Sequence, residues 1–165
     1  VGLAPGRTGA NRTGRPFTGD YAGDLLYGTL KKIGLAHGES RADPSDGLAL
    51  RGAMITNAVR CAPPENKPTP EEITACRPFL ESRIAALPRL RVILALGSIA
   101  HESVLRAHGY KPSTSKFGHG VEAVLPNNRS LVSSYHCSRY NTQTRRLTPE
   151  MFEAVMLRAK TLSGL

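Results

Sequence analysis

RVILALG, residues 91–97, is the stretch on which the fold of this chain turns. Its unbroken aliphatic run is the clearest strand in the sequence, and Ser98 behind it caps a helix reaching about His108. The same strand-then-helix unit recurs on either side. Upstream, AMITNAV at 53–59 is compact, apolar and β-branched, which suits a buried strand. A helix follows from about Pro70, with Ile73, Cys76, Leu80, Ile84 and Leu87 on one stripe, and Pro78 is expected to kink or restart it. Downstream, a short strand or hairpin occupies 121–125 and RSLVSSYH at 129–136 forms the last strand. Thr148 and Pro149 open a final helix whose core face is Phe152, Val155, Met156 and Ala159. Near the start, Leu26, Leu30 and Ile33 set a helix over 23–33 that Gly34 stops, and Val1-Gly2-Leu3 is barely long enough for a strand.

Strands alternating with helices predict an α/β fold with a parallel sheet and helices on both faces. In such open sheets, ligands bind beyond the carboxyl ends of the strands. Every stretch of unusual composition falls there: GLAPGRTGANRTGRPFTGD, NAVRCAPPENKP, ALGS and YHCSRYNTQTRR. The pattern predicts a single cleft made by those loops. Residues 36–51 are polar and rich in Gly, Asp and Ser, hence a loop, and the prolines of RCAPPENKPTP at 60–70 forbid regular structure.

A length of 165 residues with 40% apolar content fits one domain over 1–165 with a proper core. No segment approaches membrane-spanning length and no signal peptide is visible. The first residue is Val rather than Met, so the natural N-terminus is expected upstream. Twenty-two Lys and Arg against 13 Asp and Glu give a net charge of +9, which makes a polyanion, nucleic acid, the leading partner. Three widely spaced cysteines, an odd number, do not form a secreted disulfide framework; a reducing cytosol fits better and leaves Cys61 and Cys76 free to bind metal.

Individual motifs narrow the chemistry. Gly2-Leu3-Ala4-Pro5-Gly6-Arg7-Thr8 lacks the spacing and the Lys of a nucleotide P-loop, yet glycine-freed amides there can still hold a phosphate. His37-Gly38-Glu39 matches half of the zinc deaminase pattern without its P-C-x-x-C partner, a chance match in a polar loop. Cys61 and Cys76 flank the Pro-rich loop, and two thiolates alone cannot complete a tetrahedral site. His136 ends a strand beside Ser138, Arg139 and Asn141, where a histidine is more often at a site than in the core. Tyr140 and Arg139 can stack against bases, and Arg145 and Arg146 can meet phosphates. Asn57, an amide inside an apolar strand, needs a partner; it presents donor and acceptor together, as reading a pyrimidine edge requires.

GLAPG, GANRTGRPFTGD, AVRCAPPENKPTPEE and SYHCSRYNTQTRRLT, in that order over residues 1–150, resemble the uracil-DNA glycosylase superfamily, most closely its iron–sulfur type 5 branch. The resemblance implies a three-layer α/β/α sandwich with a central four-stranded parallel sheet. It implies a monofunctional glycosylase that removes uracil, and other deaminated bases, from DNA and leaves an abasic site for base-excision repair. Asp20, His136 and Asn66 match catalytic positions, with Leu3 standing where type 4 relatives carry a Glu. Phe17, Asn57, Gly2 and Ala4 match base contacts, Asn57 being a type 4-like feature. Pro5, Gly6, Arg12, Ser138, Arg139, Tyr140 and Asn141 match DNA contacts. Cys61 and Cys76 match the last two ligands of a 4Fe-4S cluster whose first two are expected in a short segment upstream of Val1. The implied setting is a prokaryotic cytoplasm, with damaged duplex or single-stranded DNA as partner, no membrane, and a monomeric protein. Loss of the usual acid at Leu3 keeps an alternative open, a non-catalytic nucleic-acid-binding module on the same fold.

Overall fold

The computed structural model describes all residues, Val1–Leu165. Its sheet is built around the two strands expected most clearly. β3 (Val92–Leu96) runs parallel to β5 (Arg129–Ser134), in register from Val92 with Ser130 to Leu96 with Ser134. β4 (Glu122–Leu125) covers the other edge of β5 and is antiparallel to it.

The ladder of assigned strands is therefore three-stranded and mixed, where four parallel strands were expected from the sequence. Pro126–Asn128 joins β4 to β5 by a single tight turn, with Asn127 and Asn128 at φ +61° and +57°. A connection that short can only reverse the chain, since parallel neighbours need a long crossover. The strand expected at 53–59 reduces to one parallel bridge, Gly2 with Asn57. Around it Gly2 N–H donates to Thr56 O (2.8 Å), Ala58 N–H to Gly2 O (2.9 Å) and Val59 N–H to Leu3 O (2.9 Å). Val1 in turn bonds β3 through Leu96 N–H to Val1 O (2.9 Å) and Val1 N to Leu94 O (2.7 Å). Two extended segments thus continue the sheet beyond β3 without becoming assigned strands.

Helices cover both faces. α2 (Tyr21–Lys32) and α6 (Pro149–Ser163) pack on one, in a core with Leu26, Leu30, Leu96, Val132 and Phe152. α3 (Pro70–Ala85) and α4 (Ser98–Ala107) pack on the other, with Leu80, Ile84, Ala95, Val104, Leu105 and Leu131. Adjacent residues of one strand, Ala95 and Leu96 or Leu131 and Val132, serve opposite cores, as the period of two requires. Thr148 Oγ1 accepts from Met151 N–H (3.2 Å) to start α6, and Thr69 with Glu72 forms a reciprocal capping box on α3. Each such cap contributes about 1 kcal/mol.

α3 departs from expectation. It runs unbroken through Pro78, and only Leu80 and Ile84 of the expected stripe are fully buried; Ile73, Cys76 and Leu87 are half-buried. The 36–51 loop holds a two-residue antiparallel pair, β1 (Ala36–His37) with β2 (Ala49–Leu50). Two short helices lie inside the loops expected to form the cleft: α1 (Ala10–Thr13) in the first and α5 (Arg139–Gln143) in the last.

Candidate active site

Beyond the ends of β3 and β5 lies a cavity of about 220 Å³. Leu3, Ala4, Gly6, Phe17 and Asp20 line it from the first loop, Asn57 and Asn66 from the segment before α3, and His136, Ser138 and Arg139 from the segment after β5. Residues more than a hundred positions apart converge there because the segments start from neighbouring positions at one end of the sheet.

Asp20 begins α2. Its Oδ1 accepts from Gly23 N–H at 3.0 Å, satisfying an orphan donor of the first helical turn. The other oxygen lies against glycine: a Cβ on Gly6 would stand 3.1 Å from Oδ2, and one on Gly9 2.6 Å. Only a side-chain-free backbone leaves the carboxylate where it is. Phe17, three residues earlier, sits at φ +55°, a conformation costly for a bulky residue, and is buried with its ring stacked on His136 at 5.9 Å and 28°.

His136 follows β5. Asn141 Nδ2 donates to its carbonyl at 2.8 Å, so Asn141, expected at DNA, also ties down the histidine's backbone. Burial pushes the His136 pKa below the ordinary imidazole value, against the opposing pull of the Asp20 charge. The imidazole is neutral near pH 7, and a neutral ring has one N–H to donate.

Asn57 is buried and its Oδ1 has no hydrogen-bond partner. The neighbouring loop does not satisfy it, which leaves an acceptor in place for a ligand at the cost of a desolvated amide. Gly2 lies behind it, outside the lining but in contact: a Cβ there would be 2.6 Å from Asn57 Oδ1 and 2.9 Å from the Phe17 ring. Asn66 is exposed on the turn Pro64–Asn66 at φ +59°.

Other expected positions lie outside the cavity. Pro5 lines an adjoining groove of about 430 Å³ that also touches Asn57. Arg12 is folded back, its Nε donating to Thr8 O at 3.0 Å. Tyr140 projects from α5 with 70% exposure. Arg146 stacks on the Tyr135 ring at 4.5 Å. Tyr21 is a lining residue the sequence did not single out; Arg139 lies over its ring at 5.1 Å and Thr142 Oγ1 donates to its hydroxyl at 3.1 Å.

The two candidate metal ligands are near each other. Arg60 N–H, next to exposed Cys61, donates to Cys76 Sγ at 3.4 Å. No cluster of three or more His, Cys, Asp or Glu residues is arranged to hold a metal ion. Two thiols are an incomplete set for a cluster that takes four, so these residues alone do not fit one. Cys137 is fully buried in the segment after β5, and desolvation pushes its thiol up to about 12.

A family model described as the uracil DNA glycosylase superfamily matches residues 1–160. The chain is 52% identical over 164 residues to a type-5 uracil-DNA glycosylase of Thermus thermophilus, covering 99% of this chain and 74% of the relative. It is 43% identical over 167 residues to a type-5 uracil-DNA glycosylase of Mycobacterium tuberculosis, covering 100% of this chain and 62% of that one. A type-4 uracil-DNA glycosylase of Sulfurisphaera tokodaii is 31% identical over 160 residues, 94% of this chain and 66% of the relative.

Proposed function

The chain belongs to the uracil-DNA glycosylase superfamily, and from that premise we infer that it is a DNA glycosylase that hydrolyses the N-glycosidic bond of uracil in DNA. The observation that carries this reading is the convergence of Phe17, Asp20, Asn57 and His136 on one cavity of about 220 Å³. An extruded base enters that cavity, its unstacking costing a few kcal/mol. Phe17 stacks on the ring, and Asn57 offers its unpartnered oxygen and its amide to the pyrimidine edge.

As the bond breaks, negative charge develops on the base and positive charge on the sugar. His136 donates its N–H to the base oxygen, and a fixed donor in a water-excluded pocket contributes about 3 kcal/mol. Asp20 holds the attacking water and stabilises the cationic sugar, with Asn66, which lines the same cavity, assisting. No lysine lines the cavity, which supports simple hydrolysis to an abasic site over Schiff-base chemistry. Gly2 and Ala4 back the base, while Pro5, Gly6, Arg12, Ser138, Arg139 and Tyr140 follow the strand around it.

On this reading the extended segments at 1–3 and 56–59 take the places of the remaining parallel strands of the four-stranded sheet, supported by their hydrogen bonds to each other and to β3. Cys61 and Cys76 are two ligands of a four-iron, four-sulfur cluster, supported by their adjacency; the other two are not among these residues. No step of the reaction passes through it. The protein acts as a monomer on chromosomal DNA, double- or single-stranded, in a prokaryotic cytoplasm, and no helix is long and apolar enough to cross a membrane.

The test is base release from duplexes carrying one uracil, one hypoxanthine or only normal cytosine, followed by alkali. Strand cleavage at uracil supports the reading. DNA binding without cleavage overturns it in favour of a non-catalytic binding module, for which Leu3 in place of an acid is the motive.

A further inference from the structure

Asp46 lies in the loop between β1 and β2, which contributes no lining residue to the cavity, yet its side chain is fully buried. Buried carboxylates are rare unless fully paired. Here four donors converge on it. Arg15 Nη1 and Nη2 donate to Oδ1 and Oδ2, both at 2.8 Å, while Arg41 N–H (2.8 Å) and Leu48 N–H (3.0 Å) supply the others. The guanidinium beside it holds the Asp46 carboxyl well below the usual carboxylate range.

The rest of the Arg15 head is committed to its own turn. Nε donates to Thr18 Oγ1 at 2.7 Å, and the guanidinium stands over the Tyr27 ring at 5.6 Å. Tyr27 OH donates to Pro16 O at 2.5 Å. Every residue from Arg15 to Thr18 is thus tied to a partner outside the cavity or to its own turn, except Phe17, which projects from it at φ +55° against His136. A residue in that conformation persists only where its surroundings over-determine it. Tyr27 of α2 braces the turn from one side, and the fork of Arg15 on Asp46, reaching across 31 positions, is the longest-range of its hydrogen bonds.

We propose that the Arg15–Asp46 pair is a positioning device for the cavity, holding the turn that presents Phe17 to the base and Asp20 to the reacting bond. Neither residue touches substrate. The fork matters because its two parallel bonds fix the orientation of the guanidinium, whereas a lysine would fix only a point. The loop at 36–51 thereby becomes part of the catalytic apparatus at one remove.

The inference rests on the glycosylase reading, and the experiment separates the two. Single-turnover base release from a uracil duplex, and equilibrium binding of the same duplex, are measured for the wild type, Asp46→Asn, Arg15→Lys and Asp46→Glu. An inactive wild type defeats the glycosylase reading. With an active wild type, Asp46→Asn and Arg15→Lys are expected to release base about 10- to 100-fold more slowly, since a misplacement of about 1 Å can cost that much. Duplex affinity should change less than about threefold, because phosphate contacts lie on other residues. Asp46→Glu, which keeps the carboxylate, should recover part of the rate. Folded variants within about twofold of the wild-type rate overturn the proposal, as does an equal loss of affinity and rate. If neither Asp46→Asn nor Arg15→Lys folds, the pair holds the domain rather than the cavity, and the proposal falls.

Discussion

Gly9 lies against the Asp20 carboxylate so closely that a Cβ there would stand 2.6 Å from Oδ2 and 3.3 Å from Cγ. No real contact of that kind is that short, so Gly9→Ala must displace the carboxylate. Base release should fall about 10- to 100-fold, with overpacking lowering stability by about 1–3 kcal/mol. Gly28→Ala is the control: its Cβ meets nothing within 4 Å inside α2, and it should stabilise the protein by about 1 kcal/mol at unchanged rate. Single-turnover rates and denaturant melts measure both; an unimpaired Gly9→Ala removes the account of Asp20.

Asp20 caps α2, and the proposed reaction gives it a second duty; the two can be separated. Asn caps helices as well as Asp does, so Asp20→Asn should keep its bond to Gly23 and stay within about 0.5 kcal/mol of wild-type stability. Asp20→Ala should lose about 1 kcal/mol with the cap. Both should lose base release by orders of magnitude. A stable, active Asp20→Asn would assign the residue to the helix alone.

His136 has a folded pKa below its ordinary value because burial outweighs the Asp20 charge. Below the usual imidazole value, about 6.5, the unfolded chain takes up a proton that the folded site refuses. The stability contribution is thus full above that pH and is lost as pH falls from there toward the lowered pKa. Activity should stay flat as pH drops through about 6.5 and decline only at lower pH, as the neutral donor is consumed. A rate that rises on acidification would mean an imidazolium acts instead. His136→Ala should remove most of the activity at every pH.

Asn57 predicts a trade between stability and function. Its buried, unpartnered oxygen costs the folded state about 1–3 kcal/mol. Asn57→Ala should therefore melt no lower than the wild type while excising uracil more slowly. A clear drop in melting temperature would show that the amide has a structural partner.

Tyr140 is 70% exposed, so little of its side chain is packed into the fold, whereas stacking on a base is worth about 1–3 kcal/mol. Tyr140→Ala should weaken binding to a uracil duplex by about 1–3 kcal/mol and leave stability within about 0.5 kcal/mol. The slope of affinity against salt should be unchanged, since that slope counts phosphate contacts. A flat salt response in the wild type would undo the reading of the +9 charge.

What the sequence made legible was whatever a local pattern encodes. The aliphatic run 91–97 and the Thr148–Pro149 start stand where their residues put them; the helix behind the run begins at Ser98, but Gly97 takes the cap position and no side chain caps it. The direction of β4 was not legible, because it depends on how tightly Pro126–Asn128 turns. Residues 53–59 have a strand's composition but meet only the short stretch Val1–Leu3, too little for a ladder. In the cavity, residue types pointed to Asn57 and His136 and the family resemblance to Asp20, whereas the glycine packing on Asp20 and the tie from Asn141 to the His136 carbonyl arise only in three dimensions. The Arg15–Asp46 pair was illegible for the same reason: an Asp in a polar loop looks like any solvated turn residue until its partner is seen 31 positions away.

Phe17 belongs to the same buried cluster as Leu26 and Leu30 of α2 and Val155 and Met156 of α6. The Phe17 wall of the cavity is therefore continuous with one half of the hydrophobic interior, and the half beneath α3 and α4 lends the cavity no such residue. A ligand pressing on that ring loads one layer of the sandwich and spares the other. Amide hydrogens of α2 and α6 should slow their exchange when the cavity fills, while those of α4 keep their pace, so that occupancy is written asymmetrically across the sheet.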